Sequence, residues 1–407
     1  MRRRHFLLNL AALMLVALVC VTCSQSQTVT FKGLHEFSGG SDGAYPNTPL
    51  TFDRVGNLYG ATYSGGTGTA CSGGCGTLFE LIPSTSGLKE RVLYSFPAFT
   101  STTGPLVLDA KGNVFGTTPQ GGNSSCNCGE VYQVARSGNG RTQSIIYSFL
   151  GGTSDGEYPE FGLVQDTAGN LYGSTQIGGL NNGGIVFELT PNGDGTWTES
   201  VIHAFGNSQD GSNPYGPLAI DTSGNLYGTT GNGGLYGPGI VFKLTPSGGS
   251  WTETILYNFT MDFGSYPQPE GVALDGAGNL YGATIFGGEY GVGTLYSLTP
   301  TVGYWHRTVL HTFTGANDGA YPYGGLTIGP TGLLYGTAAS GGLYGFGTVY
   351  KLVKGANGRW NDTVLHTFKG TDGSGPTLGV VLDQLGNLYG VASGGTYGFG
   401  VAFQITP

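Results

Sequence analysis

The chain has 407 residues, 78 of them glycine, and a formal net charge of −9, with only 10% charged and 12% aromatic residues. Glycine does not recur at every third position, aromatic and β-branched residues are plentiful, and helix-favouring runs stop after the N-terminus. Collagen, a disordered polar chain and a helical bundle are thereby excluded. An acidic chain without a basic run also has no electrostatic footprint for nucleic acid or an anionic membrane.

Residues 1–23 read as a signal peptide. Arg2, Arg3 and Arg4 precede an apolar stretch from Phe6 to Val21, broken only by Asn9, and polar Ser24 to Gln27 follow. The stretch is short for a membrane span, and no later segment approaches ~18 apolar residues. The Arg3-Arg4 pair resembles a twin-arginine signal and Cys23 could carry a lipid; cleavage near Ser24 to Gln27 is the default. The mature chain is expected outside the cytoplasm (extracellular, at the cell surface or periplasmic), with no transmembrane segment.

The rest is repetitive. Gly-Asn-Leu-Tyr-Gly or a near variant starts at 56, 112, 169, 224, 278, 332 and 386, a period of about 55 residues that fills the chain. In residues 216–259, four short β-type runs are bounded by turn residues. They are named A, B, C and D below. Strand C is apolar on both faces, as in Ile240-Val241-Phe242-Lys243-Leu244, so each sheet must be sandwiched. Radial stacking achieves this. The expected fold is an all-β, seven-bladed β-propeller over residues 28–407, with four antiparallel strands per blade. The chain begins with a D-type run, Thr28 to Phe37, and ends with a C-type run, Val401 to Pro407. Pairing of the two ends would close the ring and hide two sheet edges.

Most polar repeats read as turn chemistry. Asp-x-x-Gly-Asn, at Asp53, Asp109, Asp166, Asp221, Asp275 and Asp383, is an A–B turn; the sixth repeat has Gly329-Pro330 instead. Asp-Gly-x-x-Pro, at Asp42, Asp155, Asp210, Asp318 and Asp372, is a D–A turn, with a shifted version at Asp262. It lacks the alternating carboxylates of a calcium loop. Trp197, Trp251, Trp305 and Trp360 share one register in strand D, and His35, His203, His311 and His366 share another. Recurrence in register argues for packing; His306 stands alone. Cys71, Cys75, Cys126 and Cys128 form CxxxC and CxC in Gly/Ser loops, an even count that suggests disulfides in an oxidising compartment. Local pairs Cys71–Cys75 and Cys126–Cys128 are expected. Four thiolates could bind zinc, but paired CxxC spacing is missing, and no metal or cofactor is expected.

Alternating strand direction puts the B–C and D–A loops on one face. Tyr236, Tyr290, Tyr344 and Tyr397 lie in the B–C loops, and Tyr45, Tyr158, Tyr266 and Tyr321 in the D–A loops. Such tyrosines can stack on sugar rings, or each can plug the rim of its own blade. No blade shows a lone polar cluster, and no nucleophile elbow, HExxH, Walker loop or Rossmann glycine pattern occurs.

The string Gly-Asn-Leu-Tyr-Gly-x-Thr, Gly-Gly, Gly-x-Val-Phe-x-Leu-Thr-Pro and Val-Leu-His-x-Phe resembles the GloVer tandem-repeat family of exported bacterial proteins, over all seven repeats. That resemblance implies secretion or surface display and brings no established activity. The Asp-x-x-Gly-Asn-x-Tyr element is similar to NHL-type and streptogramin-lyase-like propellers. The sequence thus reads as an exported, non-catalytic binding or scaffold propeller, expected as a monomer. Its ligand would be a glycan or a surface protein on the B–C/D–A face. The alternative is a hydrolase or lyase with a site at the central channel mouth.

Overall fold

The computed structural model describes residues 28–407 apart from 85–86, 99–101, 124, 139, 208 and 261–270. The expected signal peptide, Tyr266 and the Asp262 turn lie outside the described residues. The described chain is a seven-bladed β-propeller. Each blade runs A-B-C-D in antiparallel order; in blade four the strands are Ala219–Ile220, Leu226–Asn232, Ile240–Ser247 and Ser250–Asn258. Among the described residues the only helical turn is the 3-10 turn Pro330–Gly332, where blade six lacks its turn aspartate.

The ring closes through the chain ends. Thr30–Glu36 pairs with Val401–Thr406, with Thr30 opposite Thr406 and Glu36 opposite Val401. Blade seven therefore takes its D strand from the N-terminus.

The A–B turns form as their chemistry predicts. Asp221 Oδ1 accepts the backbone N–H groups of Ser223 (2.8 Å) and Asn225 (2.9 Å), while Oδ2 accepts Asn225 Nδ2 (2.7 Å) and the Tyr227 hydroxyl (3.1 Å). Asp53, Asp109, Asp166, Asp275 and Asp383 accept the same two backbone N–H groups.

The core lies between blades. Buried apolar clusters join each blade to its neighbour at all seven junctions, including blade seven to blade one through Phe37, Phe79, Val391 and Ala402. The phenylalanine ending each strand D is fully buried and meets the strand-C ring of the next blade. Phe205 lies 5.0 Å from Phe242 and Phe313 lies 5.3 Å from Tyr350, ring centre to ring centre. The backbone N–H of each such phenylalanine is donated to the glycine carbonyl opening strand C of its own blade, as from Phe205 to Gly184 (2.9 Å). Trp197, Trp251 and Trp360 pack on Phe115, Tyr172 and Tyr281 of the preceding blade, the packing role their register implies.

The second glycine of the pentapeptide has a reason unrelated to turns. A Cβ at Gly228 would stand 2.5 Å from Cζ of Phe242, and the same clash with the strand-C ring recurs at Gly60, Gly173 and Gly282. Close approach, rather than a left-handed backbone, demands glycine there.

Two features go beyond the four-strand reading. The D–A connections add short strands along the far end of strand B, such as Ser212–Pro214 against Leu226–Asn232. Each D strand also carries a one-residue bulge, at Leu34, Leu93, Ile146, Ile202, Leu256, Leu310 and Leu365. A bulge shifts the face to which later side chains point. At five of these bulges the next residue, His35, Tyr147, His203, His311 or His366, thereby meets the D–A aspartate.

Candidate functional site at the channel mouth

The face carrying the B–C and D–A loops holds a cavity of about 470 Å³. Tyr215 and Tyr323 reach it from the D–A connections of blades four and six, just before the innermost strands. Gln176, Asn232, Ile285 and Phe286 come from the ends of strand B in blades three, four and five. Asn213, in a left-handed conformation, braces the wall: its Nδ2 donates to the Gln176 carbonyl (3.0 Å) and its Oδ1 accepts from Asn232 Nδ2 (3.1 Å). Tyr215 leans on Phe161, with ring centres 4.8 Å apart. Burial pushes the Tyr215 hydroxyl above its ordinary value, and the charges of Glu160 and Tyr323 add to the shift. Burial likewise raises the Glu160 carboxyl.

Below the mouth, a second cavity of about 350 Å³ follows the axis. Its described lining comes from the innermost strands and the residues leading into them, including Leu50, Leu106, Val272, Leu326 and Val380. No titratable side chain is among those lining residues. The opposite face has a larger hollow of about 670 Å³ between blades one, two and three, with Arg54, Lys111, Asp109 and Asp166. Both aspartates there are already accepting bonds from their own A–B turns.

The B–C rim tyrosines stand apart from the mouth cavity, whereas Tyr321 packs edge-on against its Phe286, with ring centres 5.6 Å apart. Tyr236, Tyr290, Tyr344 and Tyr397 are exposed at the B–C loop tips, between 49% and 62% accessible, so they do not plug their blades. Lys369 Nζ lies 5.7 Å from the Tyr344 ring centre. Tyr45, Tyr158 and Tyr321 take left-handed backbone (φ 56°, 59° and 56°), and each donates its N–H to a carbonyl in the preceding blade's B–C loop. These acceptors are Phe399 (2.6 Å), Cys128 (2.9 Å) and Val292 (2.9 Å). A tyrosine in this region is strained. The bond shows what holds it: these residues strap neighbouring blades together. The structure pairs Cys71 with Cys75 and Cys126 with Cys128, which fixes two B–C loops on the same face.

Behind the rim, polar groups meet at blade junctions. One oxygen of each D–A aspartate closes its turn, as Asp210 Oδ1 accepts the Gly206 N–H (3.1 Å). At Asp210 and Asp372 the other oxygen faces the strand-D histidine, whereas in Asp155 and Asp318 the oxygen that accepts the turn N–H also meets strand D: Tyr147 donates to Asp155 Oδ2 (2.9 Å), and His311 Nε2 lies 3.2 Å from Asp318 Oδ2. The next blade's D strand supplies a third group, Glu90, Glu199, Glu253 or Asp362. Burial first, and the nearby aspartate second, push Glu90, Glu199 and Glu253 up to about 7. At the last junction Phe31 stacks on His366 instead, 3.9 Å between ring centres.

A family model described as the Gloeobacter/Verrucomicrobia repeat matches residues 106–273 and 218–407, together blades two to seven. The chain belongs to this repeat family. No curated protein sequence matches it. Among solved structures, this member of the Gloeobacter/Verrucomicrobia repeat family is similar to a candidate 6-phosphogluconolactonase from Bacteroides uniformis. The identity is 15% over 78% of this chain and 84% of that one, with a TM-score of 0.51. A candidate glucose dehydrogenase from Thermus thermophilus matches at 14% identity over 93% of this chain and 100% of the other, TM-score 0.45. A candidate gluconolactonase matches at 16% identity over 84% and 95%, TM-score 0.43. The Bacteroides uniformis likeness shows a shared propeller fold. No described helix is long and apolar enough to cross a membrane.

Sequence reasoning placed the seven described tyrosines on the B–C and D–A loops where they are found but missed Tyr215, Tyr323 and Glu160. The signal was present. The position three residues before the apolar residue at the start of strand A (Leu50, Leu163, Leu218, Leu326, Val380) reads Asn47, Glu160, Tyr215, Tyr323 and Thr377 across five repeats. The proline before it recurs in all five, and this position varies.

Proposed function

We propose that this protein is an exported, monomeric, non-catalytic binding propeller that takes a small glycan in the channel mouth. One observation carries the reading: two tyrosine rings and Phe286 border a cavity of about 470 Å³ beside the amides of Gln176 and Asn232. Sugars present apolar C–H faces that stack on aromatic rings and hydroxyls that bond amides, and the volume lies within the ~300–1,000 Å³ range of small-molecule sites. The channel below offers no acid–base pair in its described lining. Export is supported by the leader pattern in residues 1–23 and by two local disulfides, which suit an oxidising compartment.

The hydrolase or lyase reading has one observation in its favour, the burial-raised carboxyl of Glu160 beside Tyr215. Among the described residues lining the cavity there is no second acid or base. A glycan array followed by calorimetric titration tests both. Wild type should bind one sugar class, and Tyr215→Ala and Tyr323→Ala should each weaken it at least ~10-fold, the loss of a stacking contact. Tyr236→Ala and Tyr344→Ala should bind as wild type. The proposal fails if no glycan binds, or if the mouth variants bind normally. Turnover of the bound sugar that Glu160→Gln abolishes would favour the enzyme; capture of a surface protein at the rim tyrosines would move the site.

A further inference from the structure

The junction between blades three and four differs from that between blades five and six, although His35, Asp42 and Glu90 repeat its residue types between blades seven and one. His203, from strand D of blade three, points one nitrogen, Nε2, at two carboxylates at once. Asp210 Oδ2 of the D–A connection is 3.7 Å away, and Glu253 Oε2 of the next blade's strand D is 3.9 Å away. One ligand atom from each residue falls within 4.8 Å of the others. At the junction of blades five and six the equivalent histidine separates its partners: His311 Nε2 faces Asp318 and Nδ1 faces Asp362. There a doubly protonated ring can serve two acids, one at each edge. A single Nε2 carries at most one hydrogen and cannot satisfy two carboxylates.

The buried atoms register the mismatch. His203 Nε2, Asp210 Oδ2 and Glu253 Oε1 are all shielded from solvent and without a hydrogen-bond partner, and Asp210 is only 8% exposed. Unpaired buried acceptors are costly. Three convergent groups, one imidazole nitrogen and two carboxylates, form the donor set of a divalent transition ion. Bonds of about 2.0–2.2 Å around a tetrahedral ion put ligand atoms about 3.4 Å apart. The observed 3.7 and 3.9 Å from His203 need a few tenths of an ångström of closure, and the two carboxylates, whose ligand oxygens lie within 4.8 Å of each other, close the third edge.

We propose that His203, Asp210 and Glu253 bind one divalent transition ion of the zinc class, which staples blade three to blade four. The remaining coordination is left to solvent. The site lies outside the mouth cavity, so its fate is independent of glycan binding.

The test uses tag-free protein stripped with chelator and titrated with Zn²⁺, alongside Ca²⁺ as a hard-cation control. One Zn²⁺ per chain should bind, with a rise in melting temperature of about 3 °C at free metal ~100-fold above its dissociation constant, the shift expected for a domain of this size. Glu253→Gln and Asp210→Asn are near-isosteric and should fold; each should weaken Zn²⁺ at least 10-fold, and His203→Ala should abolish it. His311→Ala should bind as wild type. The proposal is overturned if wild type binds no Zn²⁺, as when a proton on Glu253 closes the junction instead. Zn²⁺ binding unchanged in Glu253→Gln and Asp210→Asn, or lost in His311→Ala, also overturns it.

Discussion

The seam between blades and the ring around the channel mouth are built from the same repeats under opposite rules. At the seam, each blade contributes an equivalent buried phenylalanine, strand-C ring and facing glycine, as in Phe205, Phe242 and Gly228. At the mouth, equivalent positions hold Asn47, Glu160, Tyr215, Tyr323 and Thr377. Geometry explains the difference. A seam residue is packed by two sheets, and a wrong volume is felt at once. A mouth residue meets packing on one side and open space on the other, so its identity is free to serve a ligand.

The seam should break most readily at its glycine. Gly228→Ala puts a methyl group 2.5 Å from Phe242 Cζ and 2.9 Å from Leu218 Cδ2. Overpacking of this kind costs about 2–3 kcal/mol, which chemical denaturation would read as a lower midpoint at unchanged slope. Adding Phe242→Leu should recover part of that loss. Additive losses in the double variant would mean that ring approach is not what the glycine serves.

The polar junctions come next. Glu199 sits behind Asp155 and Tyr147, and burial followed by the Asp155 charge pushes its carboxyl up to about 7. The unfolded group titrates near ~4.3. The folded state therefore holds an extra proton between those values, and stability falls as pH rises through that window. Glu199→Gln removes the titration. Relative to wild type it should be about 1–2 kcal/mol more stable at pH 8, after allowance for partial solvent screening, and nearly equal at pH 4. A wild-type advantage at pH 8 would show that the carboxylate is paired.

How much of this was legible in the sequence follows from the same contrast. Blade number, strand order and ring closure could be read because Gly-Asn-Leu-Tyr-Gly and the turn aspartates recur at a fixed period. Strand C, apolar on both faces at Val241 and Phe242, fixed the need for a sandwich. The reason for the glycine at 228, inside a strand run, was not legible, because what it avoids is a ring 14 residues away, visible only in register. The convergence of His203, Asp210 and Glu253 was hidden for a related reason. The three lie on a D strand, a loop and the next D strand, and the Ile202 bulge, which sets the face His203 takes, leaves no mark in composition. The mouth was missed because attention to what repeats passes over a position defined by varying.

A smaller effect tests the seam for imperfection. Tyr350 fills a strand-C ring position held by phenylalanine in other blades, and its hydroxyl is buried without a partner. Burial drives its pKa far above the ordinary value. Tyr350→Phe removes an unsatisfied group without changing the ring, so stability should rise by about 1 kcal/mol. A loss would mean that the hydroxyl is bonded after all.

The smallest expected effect sharpens the mouth side. Thr377 is exposed at the position where blades four and six carry Tyr215 and Tyr323. Thr377→Tyr introduces a third ring at an equivalent place in the repeat. If mouth positions are free of packing, stability should stay within about ±0.5 kcal/mol of wild type, as for surface substitutions away from buried features. Glycan affinity at Tyr215 and Tyr323 should also hold, since Thr377 belongs to a different blade. A loss as large as that of Gly228→Ala would show that the mouth is packed as tightly as the seam, and the contrast between the two regions would collapse.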